Sequence, residues 1–405
     1  MTGTLDVAAV RARYPALADG SAYLDGAAGT QVPTSVIDAV AGAWRAGIGN
    51  HGGAFAASRR SDELTAAARL AVTDLVGGPS PDGVLLGPNM TTMTYRVANA
   101  LAATWGPGDE VVLTRLDHDA NVRPWVQAAA RAGVSVRFAD PVLPSLDLPV
   151  EAFADLVGPR TRLVAVTAAS NVVGTRPDVR AIADLAHEHG ALVYVDGVHA
   201  TPHGPVDMAA LGADVYATSS YKWSGPHLGA LVADPALWEE LHPDKLASSP
   251  DEVPYRFETG TAPFAQHAGL AAAVDHLAEL PVSPAPSGTR RQRLLATMAA
   301  VEAFETDLLG VLLDGLAAMP HVHLIGSPAR RTATVYLTVD GWTPQQVAEH
   351  CAAAQVNVWA GHMYAWELTG LLGIRDSGSA VRAGLVHYND RSDVDRLLAA
   401  LGDLG

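Results

Sequence analysis

Ala191-Leu192-Val193-Tyr194-Val195-Asp196-Gly197 and Val215-Tyr216-Ala217-Thr218-Ser219-Ser220-Tyr221-Lys222 are the stretches whose reading decides the fold. Each is a short run rich in β-branched and aromatic residues that stops at polar ones, the pattern of a buried strand whose end reaches a surface. The residues between them are read as a helical crossover of about 15 residues, which makes the strands parallel neighbours with Asp196 and Lys222 at one edge of the sheet. The alternation extends outward over residues 84–235. Further strands are expected at Val84–Leu86, Glu110–Leu113, Val134–Phe138, Leu163–Thr167 and Ala230–Ala233, with helical spacing at Val122–Ala132 and Val179–His189. The fold class is therefore α/β, with a mainly parallel seven-stranded sheet and any ligand outside the carboxyl ends of its strands.

Beyond this region the pattern changes. Leu280–Gly288 (LPVSPAPSG) is a breaker-rich stretch, followed by a long helical run at Arg290–Met319. Strands at Thr332–Val339, Val356–Trp359 and Ala380–Gly384 then mix with helices at Pro344–Ala353 and Ser392–Leu401, an α+β arrangement. A chain of 405 residues suits two lobes at about 150 residues per domain. The expected division is a large cofactor-binding domain over residues 21–280, a small C-terminal domain over 281–405, and an N-terminal segment over 1–20 that packs on the small domain.

Composition narrows the function. A formal charge of −16 disfavours a nucleic-acid binder, which needs clustered Lys and Arg. No apolar run approaches the ~20 residues of a membrane span, and the N-terminus lacks the layout of a secretory signal, so no membrane partner and a cytoplasmic location are expected. A single cysteine, Cys351, excludes an internal disulfide framework and a cysteine-based zinc site. The pairs His187/His189 and His321/His323 are read as solvated surface rather than as metal ligands. A small-molecule substrate remains.

Lysine and aspartate at the ends of adjacent strands match one chemistry in particular. Pyridoxal 5′-phosphate requires a lysine to form an imine and a carboxylate to keep the pyridine nitrogen protonated, so that the ring is an electron sink. Lys222 and Asp196 fit those tasks together, although either alone is more commonly a turn or surface residue. The segment Gly87-Pro88-Asn89-Met90-Thr91-Thr92 runs from a strand into a helix. Its backbone N–H groups and the hydroxyls of Thr91 and Thr92 can meet a phosphate there, although by itself it also reads as an ordinary helix cap.

With those residues placed, the chain resembles the cysteine desulfurase-like branch of the class V aminotransferases, fold-type I pyridoxal phosphate enzymes, over nearly its whole length. The likeness rests on ordered motifs: YLDGAAGTQVP (Tyr23–Pro33), DHDANVRPW (Asp117–Trp125), SNVVGT (Ser170–Thr175), VDGVHATPHGPVDM (Val195–Met208), SSYKWSGPHLG (Ser219–Gly229), RFETGT (Arg256–Thr261) and VRAGLVHYN (Val381–Asn389). The resemblance implies that His118 stacks on the cofactor ring, that His199 hydrogen-bonds its O3′, and that Asn171 lies near O3′ or the substrate carboxylate. It further implies that Ser219 and Tyr221 join Thr92 on the phosphate, and that Thr261 reaches the phosphate of the opposite site in a homodimer. Arg382 would clamp the α-carboxylate of an amino-acid substrate with its planar fork, with Ala28 and His362 also on the substrate side.

One motif departs from the family. Desulfurases carry a loop cysteine in a Gly-His-His-Cys type of sequence, and the matching stretch here is Ala360-Gly361-His362-Met363-Tyr364-Ala365, which puts Tyr364 at the cysteine position. A tyrosine hydroxyl cannot accept sulfur, and Cys351, in an expected helix, reads as buried packing. Ordinary desulfuration is thus disfavoured. The resemblance instead implies an external aldimine and a Cα carbanion formed by Lys222, leading to β-elimination from an S-substituted cysteine, with Tyr364 as acid or wall. Relatives lacking the loop cysteine include such C–S lyases, some in natural-product pathways. Transamination, epimerisation, decarboxylation-coupled oxidative deamination, an atypical desulfurase and a non-catalytic binding protein are the alternatives.

Overall fold

The computed structural model describes residues 3–405. Seven strands form the large sheet: β1 (Val84–Gly87), β2 (Glu110–Thr114), β3 (Ser135–Ala139), β4 (Thr161–Thr167), β5 (Leu192–Asp196), β6 (Val215–Ser219) and β7 (Gly229–Ala233), in the order β1-β7-β6-β5-β4-β2-β3. Alternate residues serve opposite faces, as the two-residue strand period requires. Leu86, Val112, Val164, Val193, Val195 and Tyr216 join one core, whereas Leu85, Val111, Leu163, Tyr194, Val215 and Ala217 join the other. Helices cover both sides, which is why these strands read as continuous apolar runs. On one side lie α3 (Met90–Ala102) and α4 (Arg123–Ala132), supplying Val97, Leu101 and Trp125. On the other lie α2 (Ala56–Val76), α5 (Val179–Glu188) and α6 (Phe264–Ala278), with α1 (Thr34–Ala46) outside α6.

One local expectation about the large sheet is corrected. The β5–β6 crossover is a 3-10 turn, Thr201–His203, and a four-residue helix, Met208–Leu211, rather than one longer helix. Pro202, Gly204 and Pro205 withhold N–H groups or favour non-helical backbone there, so a continuous helix cannot form. Strand β7 is antiparallel to both β6 and β1, because residues 220–228 are too few for the dozen or so that a parallel crossover needs. Lys222 sits within that short connection.

The smaller sheet contains β8 (Val322–Leu324), β9 (Thr334–Val339), β10 (Trp359–Gly361) and β11 (Ala380–Gly384) in the antiparallel order β8-β9-β11-β10. The expected strand Val356–Trp359 is divided. Val356–Asn357 pairs in parallel with Ala22–Tyr23, while β10 pairs with β11, so the chain changes partners at Val358. Helices α8 (Pro344–Ala353) and α9 (Arg391–Gly402) pack on this sheet through Val347, Cys351, Val394 and Leu397. Helix α7 (Arg290–Ala317) joins two cores, with Leu294, Met298 and Val301 in that of the large sheet and Leu308, Leu312 and Leu316 in that of the smaller one. In the N-terminal segment Leu5, Val10 and Tyr14 enter the large core, whereas Arg11 pairs with Asp390 and Asp393.

Candidate active site

The carboxyl ends of β4, β5 and β6 open into a cavity of about 310 Å³. Asp196, the last residue of β5, stands in register with Thr167 and Ala217 and is 4% exposed. A glycine follows it because a Cβ at position 197 would fall 1.9 Å from the Tyr216 ring. Asp196 Oδ1 accepts the Val198 N–H at 2.9 Å, and burial raises the carboxyl pKa to about 6 against the opposing pull of that bond and of Lys222. Lys222 ends a 3-10 turn directly after β6. Its Nζ donates to Ala27 O at 2.6 Å and Ala28 O at 2.7 Å. Those carbonyls come from a turn in which the Ala28 and Gly29 N–H groups both bond Asp25 O. Burial first, then the nearby Arg382, lowers the Lys222 pKa to about 7, so much of the amine is neutral at ordinary pH.

The walls are set by polar groups buried behind them. His118 accepts the Ala120 N–H through Nδ1 at 3.0 Å, which puts the proton of its neutral ring on Nε2. Burial, Lys222 and Arg382 lower its pKa to about 3. The preceding Asp117 is buried and accepts from Asn121 Nδ2 at 2.7 Å and from the Thr114 hydroxyl, holding the turn. His199 bonds the hydroxyls of Thr332 and Thr334 through Nε2 at 3.0 and 3.2 Å, and burial keeps it neutral. Arg382, on β11, is 4% exposed and donates to Asn171 O at 2.9 Å, yet among the described residues no carboxylate lies within ion-pair distance. Burial lowers its pKa to about 10. Asn171 donates to Met363 O at 2.9 Å, while its Oδ1 is buried without a partner. A buried guanidinium lacking an anion is costly, and a carboxylate received in its fork relieves the cost.

At the opposite end the cavity meets the start of α3. Asn89 Oδ1 caps the Thr92 N–H at 2.9 Å, and Ser219 Oγ accepts the Met90 N–H at 3.1 Å. Gly229 permits this approach, since a Cβ there would lie 2.3 Å from the Asn89 carbonyl carbon. Thr91 and Tyr221 line the cavity. The structure does not bring every expected residue there. Thr92 is exposed and outside the lining, Ser219 is fully buried behind it, and His362 stands back, accepting the Tyr364 N–H. Thr261 is exposed in a second cavity with His51 and Tyr255. Asn89 does act as a cap, so the threonine available to a ligand is the first of the pair, Thr91.

Ala28, Thr91, His118, Asn171, Asp196, His199, Tyr221, Lys222, Tyr364 and Arg382 do share the cavity. Sequence reasoning missed Asp25, Trp359 and Met363. Asp25 has one buried oxygen without a partner, and burial raises its pKa against the opposing charges of Arg382 and Lys222. The one charged residue within YLDGAAG could have signalled it. Trp359 and Met363, unlike Asp25, line the cavity, and the pairing of Trp359 with Arg382 becomes visible only once strand register is known. Among the described residues no cluster of three or more metal-ligating side chains occurs, and no helix is long and apolar enough to cross a membrane. His187 and His323 bond Asp214 and Asp340 at exposed positions.

The donor set fits pyridoxal phosphate: a lysine of lowered pKa, a buried carboxylate on the next strand, a helix start at one end and an unpaired guanidinium at the other. This fold and site define a fold-type I pyridoxal phosphate enzyme. The aminotransferase class-V family model matches residues 22–397, and the chain belongs to that family. It is 35% identical to an uncharacterized protein of Mycobacterium tuberculosis, over 99% of each chain, and 32% identical to a cysteine desulfurase of Klebsiella pneumoniae, over 98% of each. The crystal structure of the cysteine desulfurase CsdA from Escherichia coli superposes with a TM-score of 0.86 at 28% identity, covering 99% of this chain and 98% of that one. The protein is a class V pyridoxal phosphate-dependent enzyme of the desulfurase-like kind.

Proposed function

We propose that the enzyme catalyses β-elimination from an S-substituted cysteine, which with water gives a thiol, pyruvate and ammonia. The observation that carries this is a cavity with a near-neutral lysine and an unpaired buried guanidinium but no thiol. Cys351, the chain's one cysteine, is buried in α8, and burial raises its pKa to about 11. A protein-bound persulfide therefore has no acceptor at this site, whereas elimination needs none.

Bound pyridoxal phosphate supplies the electron sink that makes the Cα proton acidic. Lys222 would hold it, Asp196 would face its pyridine nitrogen, His118 and His199 would meet its ring and O3′, and Thr91 and Tyr221 would serve the phosphate. Arg382 receives the substrate α-carboxylate, and the buried Asn171 Oδ1 gains a partner near it. The Lys222 amine would take the Cα proton on Nζ and could return it to the departing sulfur. Tyr364 acts as wall. Incubating the cofactor-loaded protein with S-substituted cysteines should release pyruvate and thiol in equal amounts, and absence of pyruvate from every member of the panel would refute the proposal.

The same reading includes a homodimer. Thr261 lies outside the chain's own Lys222 cavity, and Phe55, Leu246 and Tyr255 are exposed, the latter two in the cavity that Thr261 lines. Light scattering should give twice the chain mass, and a monomer would exclude the shared-site role of Thr261.

A further inference from the structure

The mouth of the cavity is aromatic, and its construction is costly in the free protein. Trp359 on β10 lies directly opposite Arg382 on β11, so both side chains leave the sheet on one face. Arg382 is 4% exposed and Trp359 53%, which sets the indole as the outer wall beside the buried cation. Tyr364, 66% exposed, lines the same space. It and Met363 are consecutive non-glycine residues with φ of 58° and 50°, a strained left-handed pair. Hydrogen bonds to the far wall pin this loop. Asn171 Nδ2 donates to Met363 O at 2.9 Å, and the Asp119 N–H donates to Tyr364 O at 2.7 Å. His362 braces Tyr364 edge-on at 5.8 Å between ring centres.

Exposed aromatic area is removed from water when a ligand covers these rings. Charge restricts what the ligand carries. Besides Arg382 and Lys222 the lining holds no Lys or Arg, burial keeps His118 and His199 neutral, and Arg123, in the adjoining cavity that Tyr364 also lines, is already paired with Asp119 and Glu367, so a second anionic group on the substrate would find no free cation. We propose that Trp359 is the specificity-determining residue and that the substrate's sulfur substituent is an uncharged planar aromatic ring, stacked at the mouth by Trp359 and Tyr364. This rests on the elimination reading only in naming sulfur as the atom that bears the ring.

The test separates binding from turnover. L-homophenylalanine and L-2-aminobutyrate share the amino-acid head and carry no leaving group, so their affinities for the cofactor-loaded enzyme, read by calorimetry, report the ring alone. The expectation is that homophenylalanine binds about tenfold or more tighter, that Trp359→Ala cuts the ratio to about twofold, and that Trp359→Phe restores most of it. Equal affinities, or a ratio untouched by Trp359→Ala, would overturn the proposal. If the ratio behaves as expected but S-benzyl-L-cysteine yields no pyruvate, the ring site stands and elimination fails. If S-methyl-, S-carboxymethyl- and S-benzyl-L-cysteine are eliminated with equal kcat/KM, elimination stands and the ring site fails.

Discussion

In the proposed function Lys222 captures the cofactor, so this single side chain sets the pH window in which the enzyme can be loaded. Its amine must be neutral to attack an aldehyde, and burial beside Arg382 lowers its pKa to about 7. Covalent capture of pyridoxal phosphate by the apoprotein should therefore run near its full rate at about pH 8. Below about pH 7 it should fall roughly tenfold per unit, in contrast to an ordinary lysine, for which the fall begins near 10.4. Stopped-flow absorbance across that range measures it, and a midpoint near 10 would contradict the lowered value. The second prediction concerns Arg382. A buried cation whose neighbouring carboxylate, Asp25, lies beyond ion-pair distance is poorly compensated in the ligand-free protein, so Arg382→Met should leave the apoprotein's stability equal or higher while kcat/KM drops by about 10²–10³-fold, the usual cost of losing a desolvated charge partner. Urea midpoints and steady-state kinetics on the same preparation check both halves. A parallel loss of stability and activity would mean that Arg382 is chiefly structural, through its bond to Asn171.

Elements position these residues through close approaches that only particular residues allow. The start of α3 reaches the cavity because β7 begins with Gly229, where a Cβ would sit 2.3 Å from the Asn89 carbonyl carbon and 2.5 Å from the Met90 nitrogen. Gly229→Ala should push the first turn of α3 away and break the Met90–Ser219 bond. The cost should be about 1–3 kcal/mol in stability, with weaker retention of pyridoxal phosphate as the distinguishing readout. Unchanged retention would show that the helix start does not serve the phosphate. Much of this architecture was legible in the sequence. The seven strands showed as apolar runs because both sheet faces are covered, and Asp196 and Lys222 stood at their ends. What escaped depends on geometry that local pattern does not encode. Thr91 and Thr92 are neighbours in sequence, but Asn89 caps the second and α3 turns it to solvent. The division at Val358 follows from partners more than 300 residues away at Ala22–Tyr23, and with it went the pairing of Trp359 with Arg382. The β5–β6 crossover carried its own breakers, Pro202, Gly204 and Pro205, which outweigh the helical spacing around them.

At the scale of the whole molecule, the large core, the segment after the smaller sheet and the Lys222 turn are tied by one buried hydroxyl. Tyr14 OH, from the N-terminal segment, lies 2.8 Å from Ser224 Oγ, 2.8 Å from His276 Nε2 and 2.7 Å from His387 Nε2. Ser224 belongs to the Lys222 turn, where it has a φ of 68° and donates its N–H to Thr30 Oγ1. His276 lies on α6, and His387 follows β11. The two rings are neutral in the fold, burial lowering His276 to about 4 and His387 to about 3. Both titrate near 6.5 when the chain is unfolded. Between those limits the unfolded chain binds protons that the folded one refuses, so each histidine makes stability fall as pH drops below about 6.5. Buried acids with raised values, Asp196 at about 6 and Asp117 at about 8, act in the opposite direction, so total stability against pH does not isolate the histidines. A difference does. His387→Asn removes one titrating ring, and the wild type's advantage over it should shrink as pH falls from 6.5 toward 4, by up to about 1.4 kcal/mol per unit. Paired urea titrations of the two apoproteins, at intervals of half a pH unit, measure that difference, and one constant with pH would mean that His387 already carries its proton in the folded state.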